Sequence, residues 1–343
     1  GTYFDKVQRM RKLGGMISDE LMISKEKVEL SASICKTDLT SDLVNEFPEL
    51  QGLMGGYFST YQGFDKDISL AITEQYLPIG LYSKVPKKAF SVALSITDKI
   101  DTMVGFFGIN EKPTSSKDPF ALRRTALGVI RTVIENKKDL KLNDIIKYSS
   151  SLYNDQGNKL TNLNLQLELH NFLKDRFRYY LKEKEIRYDI IEASISSLSL
   201  NKIFSSYEKA RQLNKIINSQ QGVDIISSYK RASNILESEM RDNKIEINNT
   251  TDPGIFKSDF EKNLYKKIRD IKKYYSTINN DENFEKSLLI LADTRKVVFE
   301  FFDNVKVNEE NETLRKNRLE LINMLCKTFQ NFINFQLLKA SNE

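Results

Sequence analysis

Apolar residues recur along most of this chain at three- and four-residue steps, the spacing that gathers them on one face of an α-helix. Over Ala89–Phe106, Phe90, Leu94, Ile96, Ile100, Met103 and Val104 are interleaved with Asp98, Lys99 and Asp101. Phe260, Leu264, Ile268, Ile271, Tyr275 and Ile278 predict an amphipathic helix. Phe284–Phe302 predicts a second, and a third begins near Thr313 with Ile322, Leu325, Phe329 and Phe332 on one stripe. Three such helices on short connections predict a C-terminal bundle. Upstream, short helices over Asp38–Phe47 and Ile68–Tyr76 are closed by Pro48 and Pro78, and another helical stretch covers Ile203–Met240. Gly55-Gly56, Gly63 and Gly80 fall between the runs, where turns are needed. Residues 160–200 carry two signals. Leu163, Leu165, Leu167 and Leu169 alternate as in a strand, while Leu169, Phe172, Leu173, Phe177 and Tyr180 keep helical spacing. Helix is the better reading, because a lone strand leaves both edges unpaired.

The pattern predicts an all-α protein in three parts: a dense helical block over 1–150, a helical region over 151–254, and the bundle over 255–343. The polar run Asp242–Gly254 is the linker candidate. Composition agrees. The 343 residues suit about two domains, and six Pro with fourteen Gly are few for a sandwich of short strands. The richness in Lys, Asn and Ile fits an A+T-rich genome and weakens any argument from lysine content. A net charge of +5 permits nucleic-acid binding without requiring it, since clustering on a face is what matters. Cys35 and Cys326 are expected as free thiols in a reducing compartment. No apolar run long enough for a membrane and no signal segment is present, so a soluble cytoplasmic protein is expected. The start at Gly1-Thr2-Tyr3, without Met, suggests a piece of something longer.

Candidate chemistry is sparse. His170 is the single histidine, so zinc sites and histidine acid–base catalysis are not expected. No phosphate-binding loop, dinucleotide turn or nucleophile elbow occurs. The N-terminal block nevertheless resembles the HD superfamily of metal-dependent phosphohydrolases: Ser31–Leu39 lies where that family has its His-Asp pair, and Ser95–Asp101 resembles its closing Asp motif. The histidines are missing here. Asp38, Asp98 and Asp101 remain and could in principle hold Mg²⁺; solvated or capping carboxylates are the expected reading. No catalytic residue and no metal ligand is assigned, and the chain reads as a binding module.

Three constellations suit RNA. In GINEKPTSSKDPFALRR, Lys117, Arg123 and Arg124 surround Pro119-Phe120 just before a helix start, where side chains and free N–H groups together suit a phosphate; alternatively the arginines pair with acids such as Asp118. In Ser228-Tyr229-Lys230-Arg231-Ala232-Ser233-Asn234, Lys230 and Arg231 offer phosphate contacts, unless this is a helix surface with Tyr229 turned inward. In the bundle, Arg315 and Arg318 lie three apart on one face, Asn317 offers an amide to a base edge, and Lys306 precedes them. Phe301 and Phe302 read as core, and the Lys262–Lys273 series as a solvated face.

Several of these segments, in this order, resemble the β subunits of bacterial glycyl-tRNA synthetase: Phe47-Pro48-Glu49-Leu50-Gln51-Gly52, Glu74–Pro78, Asp98–Thr102, Ser116–Arg124, Lys230–Leu236 and Phe301–Val307. The resemblance implies the C-terminal half of such a subunit. It would comprise an HD-like domain over 1–150 without a complete metal site, a body-tail region over 151–254, and a DALR-like anticodon-binding bundle over 255–343. It further implies binding of tRNA-Gly, an α subunit that activates glycine with ATP and Mg²⁺, and an enzyme with two subunits of each kind. No cofactor is implied for this portion. An HD-type phosphohydrolase and an RNA-independent scaffold are the alternatives. Lys306, where the family has an apolar residue, and Gly55-Gly56, where it has Gly-Arg or a similar pair, depart from the pattern.

Overall fold

The computed structural model describes residues 1–243, 247–248, 250–277 and 284–339. Within them the ordered elements are helices joined by turns, without a strand. The chain divides into two compact units, one of residues 1–180 with 199–204, the other of 181–198 with 205–343. These cuts fall elsewhere than the three-part division expected from the hydrophobic pattern, and their number matches the two domains expected from length.

The helices, in chain order, are α1 (Tyr3–Leu21), α2 (Lys25–Ile34), α3 (Asp42–Glu46), α4 (Leu53–Tyr61), α5 (Lys66–Glu74), α6 (Ala89–Gly108), α7 (Leu122–Glu135), α8 (Leu142–Asp155) and α9 (Leu165–Glu183). There follow α10 (Tyr188–Ser196), α11 (Ile203–Ile216), α12 (Gln220–Asn243), α13 (Asp259–Thr277), α14 (Phe284–Ala292), α15 (Arg295–Asn304) and α16 (Glu312–Gln330).

In the first unit α6 is the axis. It is buried almost all round, as an apolar helix must be, with α1, α2, α5, α7 and α8 packed against it. The ambiguous leucine run resolves as helix. Leu165, Leu169, Leu173 and Phe177 are buried at four-residue steps, whereas Leu163 and Leu167 face water.

In the second unit α12 packs on α14, α15 and α16, and α13 on α15 and α16. Two of the expected helical runs are each divided by a turn. Ile203–Met240 turns at Ile217–Ser219, where the Ser219 hydroxyl donates to the Ile216 carbonyl at 2.6 Å. Phe284–Phe302 turns at Asp293-Thr294, where the buried Thr294 hydroxyl donates back to Leu291 at 2.6 Å. Such local hydroxyl bonds compete with the helical ladder. Ile278, expected on the α13 stripe, lies outside the described residues, as do parts of the linker candidate. Asp252, within that candidate, is fixed to α16 by a two-way hydrogen bond with Asn317.

Candidate nucleic-acid interface

The first constellation forms a tight turn in which Thr114 N–H donates to the Lys117 carbonyl at 2.9 Å. Phe120 stacks on Phe106 with ring centroids 4.0 Å apart, which fixes the turn to α6. The helix start is already occupied. Asp118 accepts the N–H of Leu122 at 2.8 Å and of Arg123 at 3.0 Å, so those two donors are not offered to a phosphate. This corrects the expectation of free N–H groups there. The Arg123 guanidinium donates to the Thr114 carbonyl rather than to an acid. Lys117 and Arg124 are exposed. Of the three cations, these two are accessible and Arg123 serves the turn.

In the second constellation Tyr229 is buried, in ring contact with Phe329 and Phe335, and its hydroxyl accepts from Gln330 at 3.0 Å. Arg231 pairs with Asp303 at 2.6 Å and lies over the rings of Phe299 and Phe302, at 4.7 and 5.2 Å. It is a partly exposed cation held against an aromatic surface, and Lys230 beside it is half-buried.

The third constellation separates. Arg318 is buried: Nε donates to Glu261 at 2.9 Å and Nη1 to the Lys306 carbonyl at 2.8 Å. Glu261 is itself fully buried and closes a capping box at the start of α13. Its Oε2 accepts the Lys257 and Ser258 N–H groups, each at 2.8 Å, while its own N–H donates to the Ser258 hydroxyl. Burial alone would raise the Glu261 carboxyl; the Arg318 and backbone hydrogen bonds outweigh it and hold it below its ordinary value. Asn317 is also buried, with both ends of its amide taken by the Asp252 backbone. Arg318 and Asn317 therefore belong to the interior, and their expected place at an RNA surface is corrected. Arg315 is half-buried, with Nη1 reaching Asn308 at 3.2 Å, and the Lys306 side chain is exposed. These two remain reachable from solvent.

Sequence reasoning missed the charge network inside the first unit. Asp98 and Asp101, expected to be solvated or capping, are buried on α6. Asp98 Oδ1 meets the ammonium groups of Lys36 at 3.0 Å and Lys6 at 3.2 Å. Asp101 is gripped by both Arg9 Nε at 2.7 Å and Nη2 at 3.1 Å, and by Lys6 at 3.2 Å. Arg9 in turn lies 3.7 Å from the centre of the Tyr153 ring. Burial would raise the Asp98 carboxyl, but Lys36, Lys6 and Lys99 hold it well below the usual carboxylate range. Asp38 Oδ2 accepts the N–H groups of Gly52 at 2.6 Å and Gly55 at 3.3 Å. Carboxylates so engaged with protein cations and backbone do not form a donor set for a hard dication, which needs several oxygens turned toward one point. Among the described residues no group of three or more His, Cys, Asp or Glu is arranged to hold a metal ion. His170 is half-buried on α9; burial, then Lys174, lowers its pKa. Cys35 and Cys326 are buried free thiols, each pushed up by burial to about 12.

These features define an all-helical protein whose accessible cations are spread over two units, with no assembled reaction centre among the described residues. Residues 225–341 match the DALR anticodon binding domain, and residues 1–196 match the glycyl-tRNA synthetase beta subunit family. The chain belongs to that beta subunit family. It is 34% identical over 339 residues to the glycine–tRNA ligase beta subunit of Rickettsia canadensis, an alignment covering 98% of this chain and 48% of that protein. It is 33% identical to the corresponding subunit of Pseudoalteromonas translucida, covering 99% and 48%. With that of Dinoroseobacter shibae the identity is 32%, covering 96% and 49%. The chain thus spans about half the length of the curated relatives it matches.

Proposed function

We propose that this chain is the tRNA-recognition portion of a glycine–tRNA ligase β subunit. It binds tRNA-Gly, with the DALR domain at the anticodon loop. A separate α subunit activates glycine with ATP and Mg²⁺ and transfers it, two subunits of each kind forming the cytoplasmic enzyme. The chain alone is then non-catalytic. The observation that carries this reading is the co-linear pair of matches, beta subunit over 1–196 and anticodon-binding domain over 225–341. The accessible Lys306 and Arg315 beside the start of α16 support it. A phosphohydrolase reading fits poorly, because Asp98 and Asp101 are neutralised by Lys6, Arg9 and Lys36.

The test is a footprint of tRNA-Gly with the wild-type chain and with Lys306→Ala/Arg315→Ala. Protection of the anticodon loop, weakened in the variant, is expected. Affinity should drop by orders of magnitude between about 50 and 200 mM salt if several phosphates are contacted. Protection elsewhere and unchanged by the substitutions would remove the anticodon assignment. Absence of any tRNA binding would leave the RNA-independent scaffold.

A further inference from the structure

Between Thr37 and Asp65 the chain contains no lysine or arginine, yet five acids: Asp38, Asp42, Glu46, Glu49 and Asp65. At the chain's own density of 52 Lys and Arg in 343 residues, a stretch of that length would carry about four. Asp38 is buried against backbone N–H groups, and Asp65 pairs with Lys27 at 2.9 Å while capping α5. Asp42, Glu46 and Glu49 are exposed.

The same stretch exposes large apolar side chains: Leu43, Phe47, Leu53, Tyr57, Phe58 and Tyr61. Leu53, Tyr57 and Tyr61 fall at four-residue steps and so form a stripe along α4. Tyr57 is 63% exposed and Tyr61 94%, so most of each side chain faces water. Beside the stripe, between α4 and α5, opens a cavity of about 320 Å³ lined by Leu53, Gly56, Tyr57, Thr60, Leu70 and Thr73, with Lys66 and Ser69 also lining it. Its walls are set by close helix contact, since a Cβ on Gly56 would fall 1.8 Å from the Thr73 hydroxyl oxygen.

We infer that this face, the aromatic stripe of α4 with its cavity and the acidic segment leading into it, docks a protein partner that presents an apolar patch rimmed by lysine and arginine. Exposed aromatics around a largely apolar hollow, with Lys66 its one charged wall, supply the kind of anchor that dominates protein interfaces. Three exposed acids, Asp42, Glu46 and Glu49, outnumber the exposed Lys66 at the hollow, so the net charge of the face repels phosphate and attracts a basic rim, favouring protein over RNA. The inference rests on the function proposed above, in which the partner to be tried is the α subunit.

The experiment uses the full-length β chain and the α subunit of the same organism, with Tyr57→Ala/Tyr61→Ala and, separately, Glu46→Lys/Glu49→Lys. Both pairs are at exposed positions. Association with the α subunit is measured by calorimetry, tRNA-Gly affinity by filter binding, and folding by thermal melting. The tyrosine variant should weaken α-subunit association at least tenfold. The charge variant should weaken it in low salt and less in high salt. Both should keep tRNA-Gly affinity within twofold and an unchanged melt. α-Subunit association unaltered in both variants overturns the inference, as does loss of tRNA binding with subunit association intact. Should the tyrosine variant melt early, the charge variant decides. A wild-type chain that binds neither tRNA-Gly nor the α subunit would instead refute the proposed function itself.

Discussion

Lys99 offers a sharp test of the buried charge network. Its ammonium lies inside the first unit and donates to the Leu77 carbonyl at 2.7 Å, the Ser95 hydroxyl at 2.8 Å and the Gln75 carbonyl at 3.3 Å. Those acceptors are neutral. Burial lowers its pKa most; Asp98 offsets part of this, Lys36 and Lys6 add to it, and the result is about 7. The unfolded value is near 10.4. Below about pH 7 both states carry the proton and the full penalty of the buried ammonium is present. Between about 7 and 10.4 the unfolded chain holds a proton that the folded chain has released, so stability rises with pH. Above that window both are neutral and the penalty is gone. The span corresponds to a penalty on the order of 5 kcal/mol below neutrality. Lys99→Met keeps the unbranched shape and removes the charge. The Leu77 carbonyl keeps the Ser95 hydroxyl, at 2.6 Å, and the Gln75 carbonyl loses a long bond, a loss of about 1 kcal/mol. Lys99→Met should therefore be more stable than wild type at pH 6.5 by about 2–4 kcal/mol. The difference should shrink by about 1.4 kcal/mol for each pH unit above 7. Urea unfolding of both proteins from pH 6.5 to 9.5, followed by far-ultraviolet circular dichroism, reads the difference directly. A variant less stable than wild type at pH 6.5, or a difference flat across this range, would refute the reasoning.

Two further outcomes follow from the packing. Arg318→Met strands the Glu261 carboxylate in the interior and should destabilise the second unit by about 3–5 kcal/mol, seen as a lower urea midpoint. The partner Glu261 has its pKa held below the ordinary value, so its stabilising share in the wild type is present above about pH 4.3 and fades as pH falls through the folded value; an acid titration of the wild-type melt that shows no such loss would count against the pairing. Gly56→Ala drives a methyl into the Thr73 hydroxyl and near the Ser69 carbonyl, 3.0 Å away, and should lower stability by about 1–3 kcal/mol, with Gly56→Ala/Thr73→Ala recovering part of it in the same melt.

Helical periodicity carried most of the fold into the sequence, and its failures have identifiable causes. The α13 and α16 stripes could be read directly because Leu264, Ile268 and Ile271, like Ile322, Leu325 and Phe329, are buried at helical steps. The breaks at Ile217–Ser219 and Asp293-Thr294 left no proline to mark them; the apolar period continues across each, and the turns are made by serine and threonine hydroxyls. The candidate site was less legible. Arg318 and Asn317 read as surface groups because arginine and asparagine are mostly exposed in proteins. What buries them is a partner distant in sequence, Glu261 for one and the Asp252 backbone for the other, and no local pattern announces such a pairing. Lys306 and Arg315, by contrast, flank or open a helix without a distant acid against their side chains among the described residues, and remain accessible where spacing placed them.

The same distance effect explains Asp98 and Asp101. On α6 alone they sit in an apolar run and read as a solvated stripe or as remnants of a metal site. The fold brings Lys6 and Arg9 from α1, and Lys36 from just beyond α2, onto their carboxylates. A dication entering this cluster would have to displace an ammonium group at about the distance of a hydrogen bond from each carboxylate, and those cations, with little water near them, would be left unpaired. Removing one partner of a buried pair costs about 3–5 kcal/mol. Several such pairs would be broken together, so metal entry opposes the fold. The cations thus do for α6 what a metal would do in a hydrolase, holding α1, α2 and α6 together by neutralising buried carboxylates. A Lys6, Arg9 or Lys36 side chain bound in that way offers no open coordination position for a substrate. Two residues beyond Lys36, Asp38 accepts the N–H groups of Gly52 and Gly55 at the start of α4, so the same short segment ties the network on α6 to the α4 helix.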